Sequence, residues 1–524
     1  MKFKTLLLFI LVWRIMGPSI SNATTISSIK ITRQNVFDSE VEKENWFVYR
    51  WANSLHIKTR EWVIRDQLLY EIGDKLDTLR ILETERNLRS LEFIGGAITR
   101  IYFNSDSSEA DIELTVSDQW STIAGPTSEG SGSDYTIGFA LSEKNLFGLG
   151  KDLMAEYYTG NDRKGSYINY FDYNLFRTRL RGHVEWENDG LVRTASYELT
   201  RPLYSLSDRY SFSLSGQNMV GNTRYFYAGN EIFRYRSEKQ NYTLSITRSF
   251  GIYFKRDFKI DLSWNNEKHS NSPEFDRYRM LIPPSRTETR LDLTSYLGVS
   301  KYKTTTLFDN FGNVEDLTFG WWFSVSTGRS FDILDGDIVR NYGGVGLKTT
   351  FEYPQNIYIS ASLSASARNN GGFENAFYSQ RYYLYVRYPK RMVSAFRLIS
   401  GFYDRPDPYI VNYIGGKFGL RGFDNYKIVG QNYAIANCEQ RYYSPLKIMT
   451  VALGVAAFLD VGKSWYENGG YNSADWKADA GAGFRFGLTK SSGFKVLRID
   501  LAKSLSENIY FLSFGTQMYF GFGS

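Results

Sequence analysis

The chain has one cysteine, Cys438, in 524 residues. A single thiol excludes an internal disulfide framework and any thiolate metal cluster. Histidine is almost as scarce: His56, His183 and His269 are the only three, widely separated. Proline is held to 11 residues beside 45 glycines, with 23% charged residues, which excludes collagen-like, low-complexity and disordered chains. Long apolar runs are also missing: no stretch of 18 or more apolar residues follows the N-terminal region, so a bundle of membrane-spanning helices is excluded. A strong charge of one sign is absent too. Lys2, Lys4 and Arg14 supply half of the net +6, and the near-neutral remainder carries no nucleic-acid footprint.

What the chain has in excess is aromatic side chains: 39 Tyr, 37 Phe and 11 Trp, in a polypeptide whose mean hydropathy is −0.37. Aromatic-rich and polar together point to β-structure with two unlike faces. Residues 1–23 stand apart. Lys2 and Lys4, the apolar run Leu6 to Trp13, and the small-x-small pattern Ser21-Asn22-Ala23 have the form of a secretory signal peptide, so the mature chain is expected to be exported.

Residues 24–117 read as a small α+β domain. Ile26, Ile29 and Ile31 begin a strand, and Thr59 is placed to N-cap a helix through Val63, Ile64, Leu68 and Leu69 that Gly73 would end. A second helix carries the stripe Ile81, Leu88 and Leu91, with Arg80, Glu83, Glu85, Arg86 and Arg89 expected on solvated faces and Gly95-Gly96 after it. Strands are expected at Ala97 to Phe103 and Asp111 to Val116. The order is strand, helix, helix, strand, strand, with residues 32–58 left as an unassigned insertion.

From 134 to 524 the pattern becomes alternation broken by turn residues. Ile357, Ile359, Ala361, Leu363, Ala365 and Ala367 interleave with Tyr358 and a series of serines. Phe258, Ile260, Leu262 and Trp264 enclose Lys259, Asp261 and Ser263 in the same way. Such strands suit a soluble sandwich or a membrane barrel. Their extent, with no helices or linker between them, is too great for one sandwich core and favours a transmembrane antiparallel β-barrel. About twenty segments qualify as strands by this alternation.

Catalytic motifs are missing: there is no G-x-S-x-G elbow, no H-E-x-x-H and no phosphate loop. No enzyme activity, cofactor or metal is expected. Cys438 shares a parity with Ala434 and Ala436 and reads as a small outward filler.

The most specific signal lies near the C-terminal end. Gly415-Gly416 precedes Leu420-Arg421-Gly422-Phe423; then come Asn437-x-Glu439-x-Arg441, Phe458-x-Asp460-x-Gly462 and Gly481-x-Gly483-x-Arg485-Phe486. Parity puts Val455, Leu459, Phe484 and Phe486 outward. It puts Asp460, Gly462, Asp479, Gly481, Gly483 and Arg485 inward, so Asp460 faces a lumen wall stripped of side chains, where another backbone could approach closely. The loop from Gly415 to Asn432 is the candidate occupant. Arg421 facing Asp460 and Glu439 would form charge-assisted hydrogen bonds worth about 1.5–3 kcal/mol each. The alternative is an ordinary external turn with a solvated arginine.

Together these motifs resemble the barrel signature of the BamA/TamA and two-partner-secretion transporter superfamily. The N-terminal element order resembles that superfamily's periplasmic POTRA module, and Asn145-Leu146-Phe147-Gly148-Leu149-Gly150 resembles its first hairpin. The resemblance implies a sixteen-stranded outer-membrane barrel with a periplasmic N-terminal domain and a loop folded back inside. Arg421, Gly422 and Phe423 would be the loop-tip motif and Asp460 its lumen partner, with Glu439 and Arg485 at matching lumen positions. It also implies unfolded outer-membrane or secreted polypeptides as clients, outer-membrane lipid as surroundings and periplasmic chaperones as partners. Insertase, dedicated translocator, passive porin and lipid-transfer readings all stay open. Two departures stand out: only one POTRA-like unit is evident, and the final residue is Ser524 where such barrels commonly end on an aromatic, so Phe520 or Phe522 would have to serve.

Overall fold

The computed structural model describes residues 24–37, 47–131, 134–160, 163–270, 275–312, 314–354, 356–469, 474–493 and 495–523. The expected signal peptide and part of the unassigned insertion lie outside these residues.

The N-terminal unit runs β1 (Thr25–Gln34), α1 (Phe47–Leu55), α2 (Glu61–Arg65), α3 (Thr78–Arg89), β2 (Ile94–Phe103) and β3 (Glu109–Asp118). Its sheet order is β1-β3-β2, with β1 parallel and β2 antiparallel to β3. Ile26, Ile64, Ile81, Leu88, Phe93 and Leu114 form the core beneath it. Part of the unassigned insertion is therefore the helix α1. Thr59 does not cap α2; its hydroxyl donates to Asp118 Oδ1 at 2.9 Å. That helix is only five residues long because the chain after it is taken up by the barrel: Asp66 accepts from Arg177, and Leu68 O accepts from Arg179. Asp77 caps α3 by accepting from Leu79 N.

Of the α3 residues expected to be solvated, Arg80 is exposed, whereas Glu83, Arg86 and Arg89 dock onto the barrel. Glu83 is buried and accepts from Ser205 Oγ and Leu206 N at 3.0 and 2.8 Å. Arg89 donates to both oxygens of Asp316 at 2.9 and 2.8 Å, and the Arg86 guanidinium lies 3.7 Å from the Tyr302 ring centroid. With Trp120 N on Lys490 O, the domain is latched to several turns at one end of the barrel, called here the domain end.

The barrel itself is a closed antiparallel meander of twenty strands among the described residues. This corrects the sixteen implied by the resemblance. The alternation count was the better guide, because each short alternating segment, such as Lys151–Gly160 or Leu180–Asn188, is a wall strand in its own right. The barrel also begins earlier than residue 134: Thr122–Ser131 is its first strand. Residues 118–133 fall unassigned between the two expected domains; Pro126 is tolerated in this strand because it is an edge for most of its length. Ile137, Phe139, Leu141, Phe258, Ile260 and Leu262 are exposed on the outside, an apolar band on the outer wall.

The first strand pairs along its whole length with Asp134–Glu143. Among the described residues it meets the closing strand, Tyr510–Gly515, at two positions only, Ser513 with Ser131 and Phe514 with Gly130. The seam is thus joined at the end far from the domain, and the edge from Thr122 to Glu129 has no ladder partner on that side.

Candidate functional site

The strands Met392–Asp404 and Asn432–Ile448 are joined by a long loop at the far end of the barrel that folds back into the lumen. A short hairpin, Asn412–Ile414 with Ile428–Gly430, forms its base. Gly415, Gly416 and Gly419 have φ of 129°, 50° and 118°, conformations that side chains rarely adopt. They turn the chain so that Leu420 and Phe423 are buried against Ile414 and Ile435. Each of these two side chains contributes about 1.5–3 kcal/mol to seating the loop.

Arg421 is completely buried between them. Its Nε and Nη2 donate to the two oxygens of Asp460 at 2.8 and 2.9 Å, a bidentate pair, and its Nη1 donates to Glu439 Oε1 at 2.6 Å and Asp500 Oδ2 at 3.3 Å. The guanidinium plane is held between two rings, 3.5 Å from the Phe458 centroid and 4.1 Å from that of Tyr519. Arg485 Nη1 donates to Asp500 Oδ1 at 2.5 Å and Arg498 Nη1 to Asp500 Oδ2 at 2.6 Å. The solvated-turn alternative for the loop is thereby replaced by a buried ion network.

The wall glycines leave room for side chains as well as for neighbouring backbone: a Cβ at Gly481 would meet Leu501 O and the Phe458 ring, one at Gly483 the Asp500 carboxylate and Ile499 O, and one at Gly462 Ala434 O and Leu420. Gly422, in the loop, keeps clear of Asp479. Parity was a sound guide here: Phe484 and Leu459 are exposed outward, as is Cys438, while Asp460, Asp479 and Arg485 are buried inward.

Asn437, part of the Asn437-x-Glu439-x-Arg441 motif but given no role there, donates through Nδ2 to Gly419 O and Asp460 Oδ1 at 2.8 and 2.7 Å, tying loop and partner together, and three further participants were missed from the sequence. Asp500 and Arg498 alternate with outward Leu497, Ile499 and Leu501, so the parity argument applied one strand further would have found them. Tyr519 lies beyond the last strand, where nothing in the sequence brings it to the loop.

A second plug fills the domain end of the lumen. The connection between Arg286–Thr305 and Glu315–Phe331 turns inward, burying Phe308 and Phe311 against Tyr358, Tyr385 and Tyr443. Glu315 accepts from the backbone N–H groups of Phe308, Asp309 and Asn310, which fixes the loop's turn. Arg441 links this plug to the first: its Nε donates to Glu439 Oε2 at 2.7 Å, its Nη1 to Asp309 Oδ1 at 2.8 Å and its Nη2 to Phe520 O at 2.8 Å.

The first-hairpin residues are not part of this cluster. Asn145 is buried, donates to Thr59 Oγ1 and accepts from Gly150 N, both at 2.8 Å. Gly148 O accepts from Arg60 N, and Gly150 packs by Val63 and Phe93. Phe147, at a φ of 54°, is exposed. This hairpin is the joint between domain and barrel.

The likenesses are to solved barrels. BamA from Haemophilus ducreyi lacking POTRA domains 1-3 is 13% identical, with 94% of this chain and 84% of that one covered at a TM-score of 0.40. CdiB from Acinetobacter baumannii is also 13% identical, covering 94% and 73% at a TM-score of 0.45. CdiB from Escherichia coli is 11% identical, covering 94% and 76% at 0.45. No family model and no curated protein matches the chain.

Proposed function

We propose that the chain is an outer-membrane β-barrel assembly factor that receives client polypeptides through its N-terminal domain, a single POTRA-like unit on the periplasmic side, and inserts them at the barrel seam. The observation that carries this reading is the seam itself, two ladder pairs long among the described residues, which leaves Thr122 to Glu129 as a strand edge with no ladder partner on that side. An edge of this kind pairs with an incoming strand through main-chain hydrogen bonds that demand little of the client's sequence. The outer apolar band supports lipid as the surrounding medium and the outer membrane as the location. Arg421 and its partners Glu439, Asp460 and Asp500 hold the wall next to the seam in shape. Clients are unfolded outer-membrane or secreted polypeptides, handed over by periplasmic chaperones, and no cofactor or nucleic acid takes part.

The test uses lipid vesicles containing the full chain and a urea-unfolded small barrel protein, with folding followed by its heat-modifiable migration. Cysteines at Ser131 and Ser513, in a Cys438→Ser background, allow the seam to be closed by oxidation. Folding of the reporter is expected to accelerate with the reduced protein and fall to the empty-vesicle rate with the oxidised one; equal rates in the two states would sink the seam mechanism. A dedicated translocator of the two-partner-secretion type is the second reading, favoured by the lumen's being filled with loop segments that could withdraw. Proteomics after depletion separates them: broad loss of outer-membrane barrels marks an assembly factor, and loss of one or two exported proteins marks a translocator.

A further inference from the structure

The helix α1 is apolar on two opposite faces. One face is taken up by the domain: the Tyr49 ring stacks on Phe37 with centroids 4.5 Å apart, Asn53 Nδ2 donates to Phe37 O at 2.8 Å, and Ala52 and Trp120 pack against the same cluster. At 3.6 residues per turn, Phe47, Trp51 and Leu55 fall on the other side, one above the next. Trp51 is 63% exposed and Leu55 57%. A helix that only completed the domain would carry polar residues there. A row of large apolar side chains held outward on a helix already fixed by its other face marks a surface with a partner.

The position of the helix identifies that partner. Beside its packed face, Lys490 Nζ donates to Val36 O at 2.9 Å and lies 5.9 Å from the Phe37 centroid; Lys490 is in the turn between Lys477–Leu488 and Val496–Ser504. Past its other end, His56 Nε2 lies 3.1 Å from Asp118 Oδ2, and Ile57 packs beside Gly148 of the first hairpin. In the strand order these two turns stand on either side of the closing strand and the first strand. The helix therefore spans the foot of the seam.

Its outward row continues the apolar band of the wall. Phe139 and Leu141 on one strand of the first hairpin, and Tyr157 and Leu153 on the other, are exposed outward and lead down to Phe147 at the turn, which is exposed as well. Ile57, 54% exposed, sits beside Gly148 and so extends that surface to Leu55 and Trp51. Aromatic and leucine side chains at the rim of a lipid-facing band suit the boundary between headgroups and acyl chains. A polypeptide partner would have no need of a surface level with the lipid-facing row of the wall.

We propose that α1 is an interfacial helix whose partner is the lipid leaflet nearest the domain, with Trp51, Leu55, Ile57 and Phe147 seated in it at the foot of the seam. The recognition is apolar and asks for no particular headgroup. It also ties the domain to the membrane as well as to the barrel, so the domain cannot swing from the rim without lifting this row out of lipid. The inference rests on the barrel's lying in a bilayer and not on which client it serves.

The test uses the full chain in phosphatidylcholine vesicles, in a Cys438→Ser background, with a nitrobenzoxadiazole label on one cysteine at a time. Trp51→Cys and Leu55→Cys report on the helix, Leu459→Cys on the lipid-facing wall, and Ser105→Cys, in the exposed turn between β2 and β3, on water. Quenching is measured with phosphatidylcholine spin-labelled high on the acyl chain and with iodide present on both sides of the bilayer. Lipid quenching at Trp51→Cys and Leu55→Cys is expected to match that at Leu459→Cys, with iodide quenching roughly fivefold weaker than at Ser105→Cys. Adding Trp51→Glu to the Leu55→Cys protein should raise iodide quenching about threefold while heat-modifiable migration stays unchanged. Iodide quenching on the helix equal to that at Ser105→Cys, with Leu459→Cys still quenched by lipid, would overturn the proposal and leave the barrel's membrane placement standing. Shielding of the helix that appears only when an unfolded polypeptide is added, or that grows with the protein-to-lipid ratio, would give the face to a client or a second copy and overturn it equally. Absence of lipid quenching at Leu459→Cys would overturn the membrane placement itself, and the proposal with it.

Discussion

Replacing Arg421 by alanine would test the buried network most directly. The substitution removes two bonds to Asp460, the short one to Glu439 and the longer one to Asp500, and it leaves three carboxylates in a water-poor lumen with one cation fewer. Breaking a buried ion pair by deleting one partner costs about 3–5 kcal/mol, because the remaining charge loses its compensation. Arg441 and Arg485 still face Glu439, which places the expected cost near the lower end. Leu420 and Phe423 are untouched and retain roughly 3–6 kcal/mol of apolar seating between them. The loop should therefore remain docked but open far more often, by a factor of about 10² to 10³ at 1.4 kcal/mol per tenfold. Hydrogen exchange at the backbone amides between Tyr413 and Tyr426 reports that opening directly. Protection should fall by two to three orders of magnitude there, while the strands Asn432–Ile448 and Val451–Trp465 keep theirs. Arg421→Lys keeps the charge and loses the planar fork, so it should recover only part of the protection. A change of less than threefold in Arg421→Ala would refute the view that the ion network, rather than the apolar pair, sets the loop's stability.

Gly483→Ala would push a methyl group into the Asp500 carboxylate and should cost about 1–3 kcal/mol of barrel stability, whereas Gly343→Ala meets nothing within 4 Å and should stay within about 0.5 kcal/mol, as read by urea denaturation in detergent. Cys438 should react with a lipid-soluble maleimide in vesicles and be shielded from a water-soluble one; equal labelling by both would place its strand face in water. Arg89→Ala should loosen the domain from the barrel, raising the rate of proteolytic cleavage between Asp118 and Thr122 severalfold without changing the barrel's heat-modifiable migration.

Much of the barrel could be read in advance because a wall strand writes its environment into every second residue. Leu459 and Asp460 were assigned to opposite faces from parity alone, and the structure leaves the first exposed and the second fully buried. The partner of Arg421 was legible for the same reason. What could not be read were features with no period. Thr122–Ser131 hides its strand character behind glycine and proline, because an edge strand has fewer ladder bonds to supply. Glu83 and Arg89 look solvated on any helical wheel, yet their partners Ser205, Leu206 and Asp316 come from turns far along the chain. The fate of Phe520 and Phe522 was open for a subtler reason: their alternation is genuine, but the segment that carries them packs in the lumen and not in the wall.

The docking of the N-terminal domain has a consequence for traffic. Its latches grip the turns around Asn145, Arg177, Ser205 and Lys490 and the strand end at Asp316. On the remaining arc a cavity of about 780 Å³ lies between domain and rim, bordered by Arg33, Lys58, Arg391, Pro445 and Phe311. The barrel's lower mouth is therefore a side door rather than an open end. A chain coming from that direction would have to thread past the domain's own sheet before reaching Phe311, and a folded cargo would be turned away at the threshold by size alone.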